Sequence, residues 1–251
     1  MGDRRRPQRR IRSEIIAEIG QNHNGDMRLA TRLIREAKKN GADVAKFQLF
    51  DVDHVFGELY KLNPALKRKW YALQRKSQLT REQVSMLADE CRRSNIEFLA
   101  SVFDVERVAW LEDVGVRRHK IASRSVGDRK LTAALVKTGK PLLVSLGMWK
   151  GRSFPRFGPA TIVEYLYCVS KYPAPLSDVR LATVDFHSYA GFSDHTVGVT
   201  AAIAAMARGA RIIEKHFTLA KKMFGPDHGC SMTPDELRVV SAFRDELVGC
   251  W

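Results

Sequence analysis

No long apolar run occurs in these 251 residues. The longest near-apolar helical stretch, Val199 to Ala207, falls far short of the about 20 residues needed to cross a bilayer, so no membrane partner is expected. Cysteine is also sparse. Cys91, Cys168, Cys230 and Cys250 stand apart, with neither CxxC nor a His/Cys ligand spacing. That excludes a zinc ribbon or a disulfide scaffold and suits reduced thiols in a cytoplasmic protein. Acidic residues are outnumbered, 28 against 42 Lys and Arg, for a formal charge of +14 that points to an anionic partner. Part of that excess is local, because residues 1–12 hold Arg4, Arg5, Arg6, Arg9, Arg10 and Arg12 against Asp3. No aromatic residue is interleaved there, which argues for a basic flexible tail and makes a nucleic-acid partner unlikely. The tail also lacks the apolar run of a signal peptide. Neither a repeat of fixed period nor a low-complexity linker divides the rest. Residues 13–251 are expected to form one domain, and 45% hydrophobic with 28% charged residues suits a packed core.

What is present is alternation. Short β-branched runs at Ile15–Ile19, Val44–Gln48, Ile96–Ala100, His119–Ala122, Pro141–Leu146, Val163–Cys168, Tyr189–Ser193 and Arg211–Phe217 make eight strands. Between several of them lie amphipathic stretches. Asp26 can cap a helix whose Leu29, Leu33, Ile34 and Ala37 share one face, closed by Gly41. Thr80 can cap another from Arg81 to about Ser94, and helices fit at Val105–Val114, Lys130–Thr138, Thr196–Arg208 and Pro234–Leu247. Residues 51–80 read as a long insertion rich in Lys, Tyr and Trp. Trp149–Pro159, with Gly151, Pro155, Gly158 and Pro159, cannot hold a normal helix, and Asp178–Tyr189 is short. The fold expected is α/β, a (β/α)8 TIM barrel with one or two shortened outer helices.

The active site of such a barrel lies at the C-terminal ends of its strands, so the polar residues ending each run are the candidates. They are Glu18 on the first, Lys46 and Gln48 on the second, Ser101 on the third, and Lys120 and Ser123 on the fourth. The fifth contributes Ser145 and the sixth leads to Tyr172; Ser193-Asp194-His195 end the seventh, and Glu214 and His216 the eighth. Two lysines and several hydroxyls on one rim can hold a phosphate and a carboxylate together, and two histidines from neighbouring strands can share a metal.

From about residue 14 to 247 the chain resembles the sialic acid synthase family, its barrel domain only, lacking the C-terminal antifreeze-like domain. The segments carrying the resemblance are Ala17-Glu18-Ile19-Gly20-Gln21-Asn22-His23-Asn24-Gly25, Lys46-Phe47-Gln48, Lys120-Ile121-Ala122-Ser123, Gly139-Lys140-Pro141 and Tyr172-Pro173. Ser193-Asp194-His195-Thr196, Glu214-Lys215-His216-Phe217-Thr218 and Gly225-Pro226-Asp227-His228 complete the set, all in family order. The resemblance implies that His195 and His216 bind a divalent metal, Mn2+ or Mg2+, and that Lys46, Ser101, Lys120, Ser123, Ser145 and Ser193 hold phosphoenolpyruvate. It places Glu18, Gln48, Tyr172 and Asp227 around the reacting sugar aldehyde. The activity implied is condensation of phosphoenolpyruvate with an N-acetylhexosamine (N-acetylmannosamine or its phosphate) to a sialic acid, by a homodimer. The alternatives are a sibling legionaminate, pseudaminate or 3-deoxy-octulosonate synthase, or a weakened barrel that binds an anion or a protein.

Five features depart from the family pattern. Arg124-Ser125 stand where the family reads Gly-Glu, which removes a carboxylate from the sugar side and adds a cation. Ser145-Leu146-Gly147-Met148 and Ser101-Val102-Phe103 vary two further motifs, and Ser170 replaces an asparagine before Tyr-Pro. The fifth is the C-terminal domain, which the resemblance does not cover. The donor side is therefore expected to be better kept than the acceptor side.

Overall fold

The structure, a computed structural model, describes residues 12–250. Most of the basic tail expected over residues 1–12 lies outside that range. Arg12 is described, and it pairs with Asp43 at 2.7 Å and Asp245 at 2.9 Å.

Eight parallel strands close on themselves in chain order: β1 (Glu14–Gly20), β2 (Val44–Leu49), β3 (Glu97–Val102), β4 (His119–Ile121), β5 (Leu142–Ser145), β6 (Val163–Cys168), β7 (Gly191–Asp194) and β8 (Ile212–His216). This is the expected (β/α)8 barrel. Helices α1 (Met27–Lys39), α2 (Val52–Leu62), α3 (Pro64–Lys76), α4 (Arg81–Arg93), α5 (Val105–Asp113), α6 (Arg129–Lys137), α7 (Thr200–Ala207) and α8 (Pro234–Gly249) connect them. Local chemistry sets several starts. Asp26 accepts from the amides of Arg28 and Leu29 at the head of α1, while Thr80 with Gln83 and Thr233 with Glu236 form reciprocal capping boxes on α4 and α8.

Alternation along the strands sorts the two sides of the barrel wall. Ile15, Ala17, Ala45, Phe47, Ala100, Val144 and Ile213 pack outward against the helices, whereas Ile16, Val44, Leu99, Leu143, Leu166 and Ile212 form a separate apolar cluster inside. That plug closes the barrel beneath the next inward layer, which is polar. Gly191 is fixed by closure, because a Cβ there would lie 1.9 Å from the Ile212 carbonyl oxygen on β8.

The outer ring is incomplete where the proline- and glycine-rich connections forbid helices. No helix follows β5, and only two 3-10 turns, Leu176–Asp178 and Leu181–Thr183, follow β6. Aromatic side chains cover the wall instead: Phe154 stacks on Tyr165 at 4.6 Å and meets Tyr189 at 4.9 Å, and Tyr167 stacks on Phe192 at 5.8 Å. The insertion over residues 51–80, for which the sequence suggested no element, holds α2 and α3. Asp51 caps the first, and Asn63 followed by Pro64 starts the second. Their apolar faces pack over Phe50 and Phe103 at the C-terminal end of the barrel, and Trp70 reaches Phe224 of the loop after β8 at 5.2 Å.

Candidate active site

Above the apolar plug the inward positions of β1 to β5, β7 and β8 carry one connected polar layer. Lys46 Nζ lies 2.6 Å from Glu18 Oε2 and 3.5 Å from Glu214 Oε2, and it donates to Ser101 Oγ at 3.2 Å. Lys120 Nζ lies 3.5 Å from Glu214 Oε1 and donates to Ser145 Oγ at 2.8 Å; Ser193 Oγ donates to Glu214 Oε1 at 2.9 Å. Gln48 Nε2 donates to Glu18 Oε1 at 2.7 Å. All of these except Gln48 are buried, so two cations and two carboxylates share a water-poor layer near the C-terminal strand ends.

Burial drives the protonation of these groups apart. It pushes Glu18 up to about 7, against the pull of Lys46 and with the help of Glu214. Burial acts on Glu214 in the same sense, yet Lys120, Lys46 and the Ser193 hydroxyl hold it down at about 2. Burial depresses Lys120, only partly countered by Glu214, whereas for Lys46 the same penalty is outweighed by Glu18 and Glu214, which raise it. Near neutrality one carboxylate is permanent and the other is poised to exchange a proton.

A second cluster sits at the rim. The imidazoles of His195 and His216 have centroids 5.7 Å apart, and the exposed Tyr172 ring lies 4.1 Å from the first and 5.9 Å from the second. Burial lowers both histidines, His195 to about 4, so both are neutral near pH 7. Only a protonated Nδ1 of His195 can bond the Val169 carbonyl at 2.9 Å, which leaves its Nε2 lone pair free. His216 Nδ1 is buried without a partner. Two neutral imidazoles at this spacing fit a shared divalent ion, since bonds of about 2.0–2.2 Å tolerate ring separations up to about 7 Å. Among the described residues no three His, Cys, Asp or Glu side chains come together as a ready ligand set. Two imidazoles alone would hold an ion only if water or substrate oxygen completed its shell, a coordination that suits Mg2+ or Mn2+.

The remaining candidates hydrogen-bond to neither cluster. Ser123 Oγ accepts from the Met148 amide at 2.5 Å, which ties the loop after β4 to the loop after β5. Asp227 accepts from Gln21 Nε2 at 3.1 Å and favours the charged form of His216. Glu214, noted in the sequence only as a strand end, bridges the two lysines at the centre of the polar layer. The signal for it was alternation: Ile212, Glu214 and His216 share one face of β8. The intervening Lys215 points outward and forms a fully buried pair with Asp194 at 2.9 Å.

Two cavities elsewhere do not compete with this site. One of about 860 Å3 runs beside Ser13, Val184, Phe186 and Arg211; another of about 610 Å3 lies beside Glu14, Ile96 and Arg117. Both open at the N-terminal end of the strands, where ion pairs such as Arg118 with Glu14 and Glu97 serve packing.

A closed parallel barrel with its ionisable side chains at the C-terminal strand ends places the chain among the (β/α)8 proteins that carry their chemistry on that face. The chain belongs to the NeuB family, whose model matches residues 33–246. It is 34% identical to the N,N'-diacetyllegionaminic acid synthase of Legionella pneumophila over 92% of this chain and 71% of that protein. It is 32% identical to the human N-acetylneuraminate-9-phosphate synthase over 89% of this chain and 67% of that protein. The crystal structure of the N-acetylneuraminic acid synthetase of Leptospira borgpetersenii in complex with citrate superposes with a TM-score of 0.83 at 29% identity, covering 95% of this chain and 84% of that one. No helix among the described residues is long and apolar enough to cross a membrane.

Proposed function

We propose that the protein condenses phosphoenolpyruvate with the open-chain aldehyde of an N-acetylhexosamine, giving a nonulosonic acid and phosphate. The observation that carries this reading is the buried layer of Lys46, Lys120, Ser101, Ser145 and Ser193 around Glu18 and Glu214, in a chain whose relatives are named as synthases of such acids. The lysines and hydroxyls match a small ligand bearing both phosphate and carboxylate.

In this reading C3 of phosphoenolpyruvate forms a bond to the aldehyde carbon as the aldehyde oxygen takes the proton of the neutral Glu18 carboxyl, which is left charged. Water adds to the cationic C2, giving up its proton to Glu18, the carboxylate raised to about 7. The tetrahedral centre then releases phosphate by C–O cleavage as its hydroxyl proton passes to the departing phosphate, leaving the ketone, and the charged Glu214 offsets the positive charge at C2 beforehand. Gln48 orients Glu18, and Tyr172 with Asp227 flanks the acceptor. His195 and His216 would hold Mn2+ or Mg2+, which when bound supplies Lewis-acid polarisation of the aldehyde oxygen. We place the active form as a homodimer.

Phosphate release measured with phosphoenolpyruvate, Mn2+ or Mg2+ and a panel of N-acetylhexosamines tests the reading. Release that needs both the donor and one of these sugars supports it. Absence of release with every sugar and both metals overturns it.

A further inference from the structure

Inside the barrel Lys46 lies beside Glu18 and Lys120 lies more distantly beside Glu214, whereas a cation on the rim has no such neighbour. Arg124 follows Ser123 in the turn after β4, where the chain leaves the polar layer. Its guanidinium lies 5.4 Å from the Phe56 ring centroid and donates one N–H to the Val55 carbonyl at 3.3 Å. These two contacts, both from α2, fix the head group against the helix roofing that side of the barrel. Among the described residues no carboxylate pairs with it, and its other N–H donors have no protein acceptor. The ionisable group that acts on it is the phenol of Tyr172, which burial keeps neutral and whose ring lies 4.1 Å from that of His195. An arginine held in place on one side, with the rest of its planar fork free beside the acceptor region, is arranged to receive an anionic oxygen pair.

We propose that Arg124 selects acceptor sugars that carry an anionic substituent, a phosphate or a carboxylate, remote from the aldehyde. The inference rests on the synthase reading for the word acceptor, but recognition of the anion is a binding property that can be measured without turnover. Lys120, in the layer assigned to the donor, serves as the control for an anion held by the donor site instead.

Calorimetric titration of N-acetylmannosamine, its 6-phosphate and the corresponding 6-carboxylate into the parent protein, Arg124→Gln and Lys120→Met tests this. The parent should bind at least one anionic sugar ten or more times more tightly than the neutral one. Arg124→Gln should abolish that preference while changing neutral-sugar affinity less than about threefold, and Lys120→Met should keep it. The phosphate and carboxylate arms identify which group is preferred. Equal affinity for all three sugars in the parent overturns the proposal. So does a preference lost in Lys120→Met but not in Arg124→Gln, which would put the anion in the donor layer. A matched loss for neutral and anionic sugars in Arg124→Gln, reporting only a loosened α2, also overturns it. Arg124-dependent binding without phosphate release would uphold the anion site and sink the synthase reading instead.

Discussion

At the scale of single residues the barrel concentrates its chemistry in side chains that repay burial only when a ligand arrives. Lys120 is buried, bonded to a serine and only distantly paired with Glu214, so a bound anion is its natural counter-charge. Lys120→Met keeps much of the stem but removes the charge, and donor affinity measured by calorimetry should fall by about 2–4 kcal/mol. Unchanged affinity would place the donor elsewhere. Glu18 makes a second outcome testable by pH. With its carboxyl raised to about 7, a neighbouring trianion disfavours the charged form further, so donor binding by chelator-treated protein should take up protons and strengthen as pH falls from about 8 towards 7. Titration in buffers of different ionisation heat reads the uptake, and Glu18→Gln should lose it. Equal uptake in parent and variant would assign it to the ligand alone. Residues such as Lys46, Ser101 and Ser193 were legible because strand alternation and position at a strand end select them. Glu214 was on the same list but carried no role, since a carboxylate between two lysines is visible only after strands distant in sequence close into a ring.

Among the elements, the strands were the most legible: Val163–Cys168 is reproduced unchanged, and the seven others differ from the expected runs by a few terminal residues. Buried strands between helices advertise themselves by β-branched runs. The pair α2 and α3 was not legible, because its apolar residues serve a small cluster with Phe50 and Phe103 rather than a stripe facing the barrel. The β7 to β8 seam depends on Gly191, and Gly191→Ala should destabilise the fold by more than about 3 kcal/mol in denaturant unfolding, because the obstruction is backbone. The loop after β1 gives a pH signature. His23 is fully buried, accepts the Gly25 amide at 3.2 Å through Nδ1, and has its acidity shifted by burial down to about 4. The folded state therefore favours the neutral ring. Its stabilising share is complete above the unfolded value near 6.5 and is lost as pH falls towards 4, reaching about 3 kcal/mol there. Unfolding curves between pH 7.5 and 4.5 should flatten in His23→Gln relative to the parent; identical slopes would assign the acid sensitivity to other groups.

For the whole molecule, eight strands with two eroded outer connections were readable in advance, since Pro and Gly spacing forbids helices locally whatever the barrel requires. What the sequence could not convey is which surface the missing helices and the α2–α3 roof leave uncovered. Exposed Met148 and Trp149 after β5, Tyr172 and Leu176 after β6, Val197 after β7 and Phe224 after β8 all lie on loops at the C-terminal face. Apolar side chains gathered on one face are a signature of association, whereas scattered ones are not. A homodimer built across that face would cover them and shield the polar layer, which strengthens every charge interaction inside it. Light scattering should then give about twice the 28.4 kDa chain mass. Replacing Met148 and Phe224 together by Asp should shift the mass to that of one chain and lower donor affinity, because the opening becomes more solvated. A parent protein that remains at one chain mass at high concentration would sink the dimer, and a dimer unaffected by the two aspartates would move its interface to another face of the barrel.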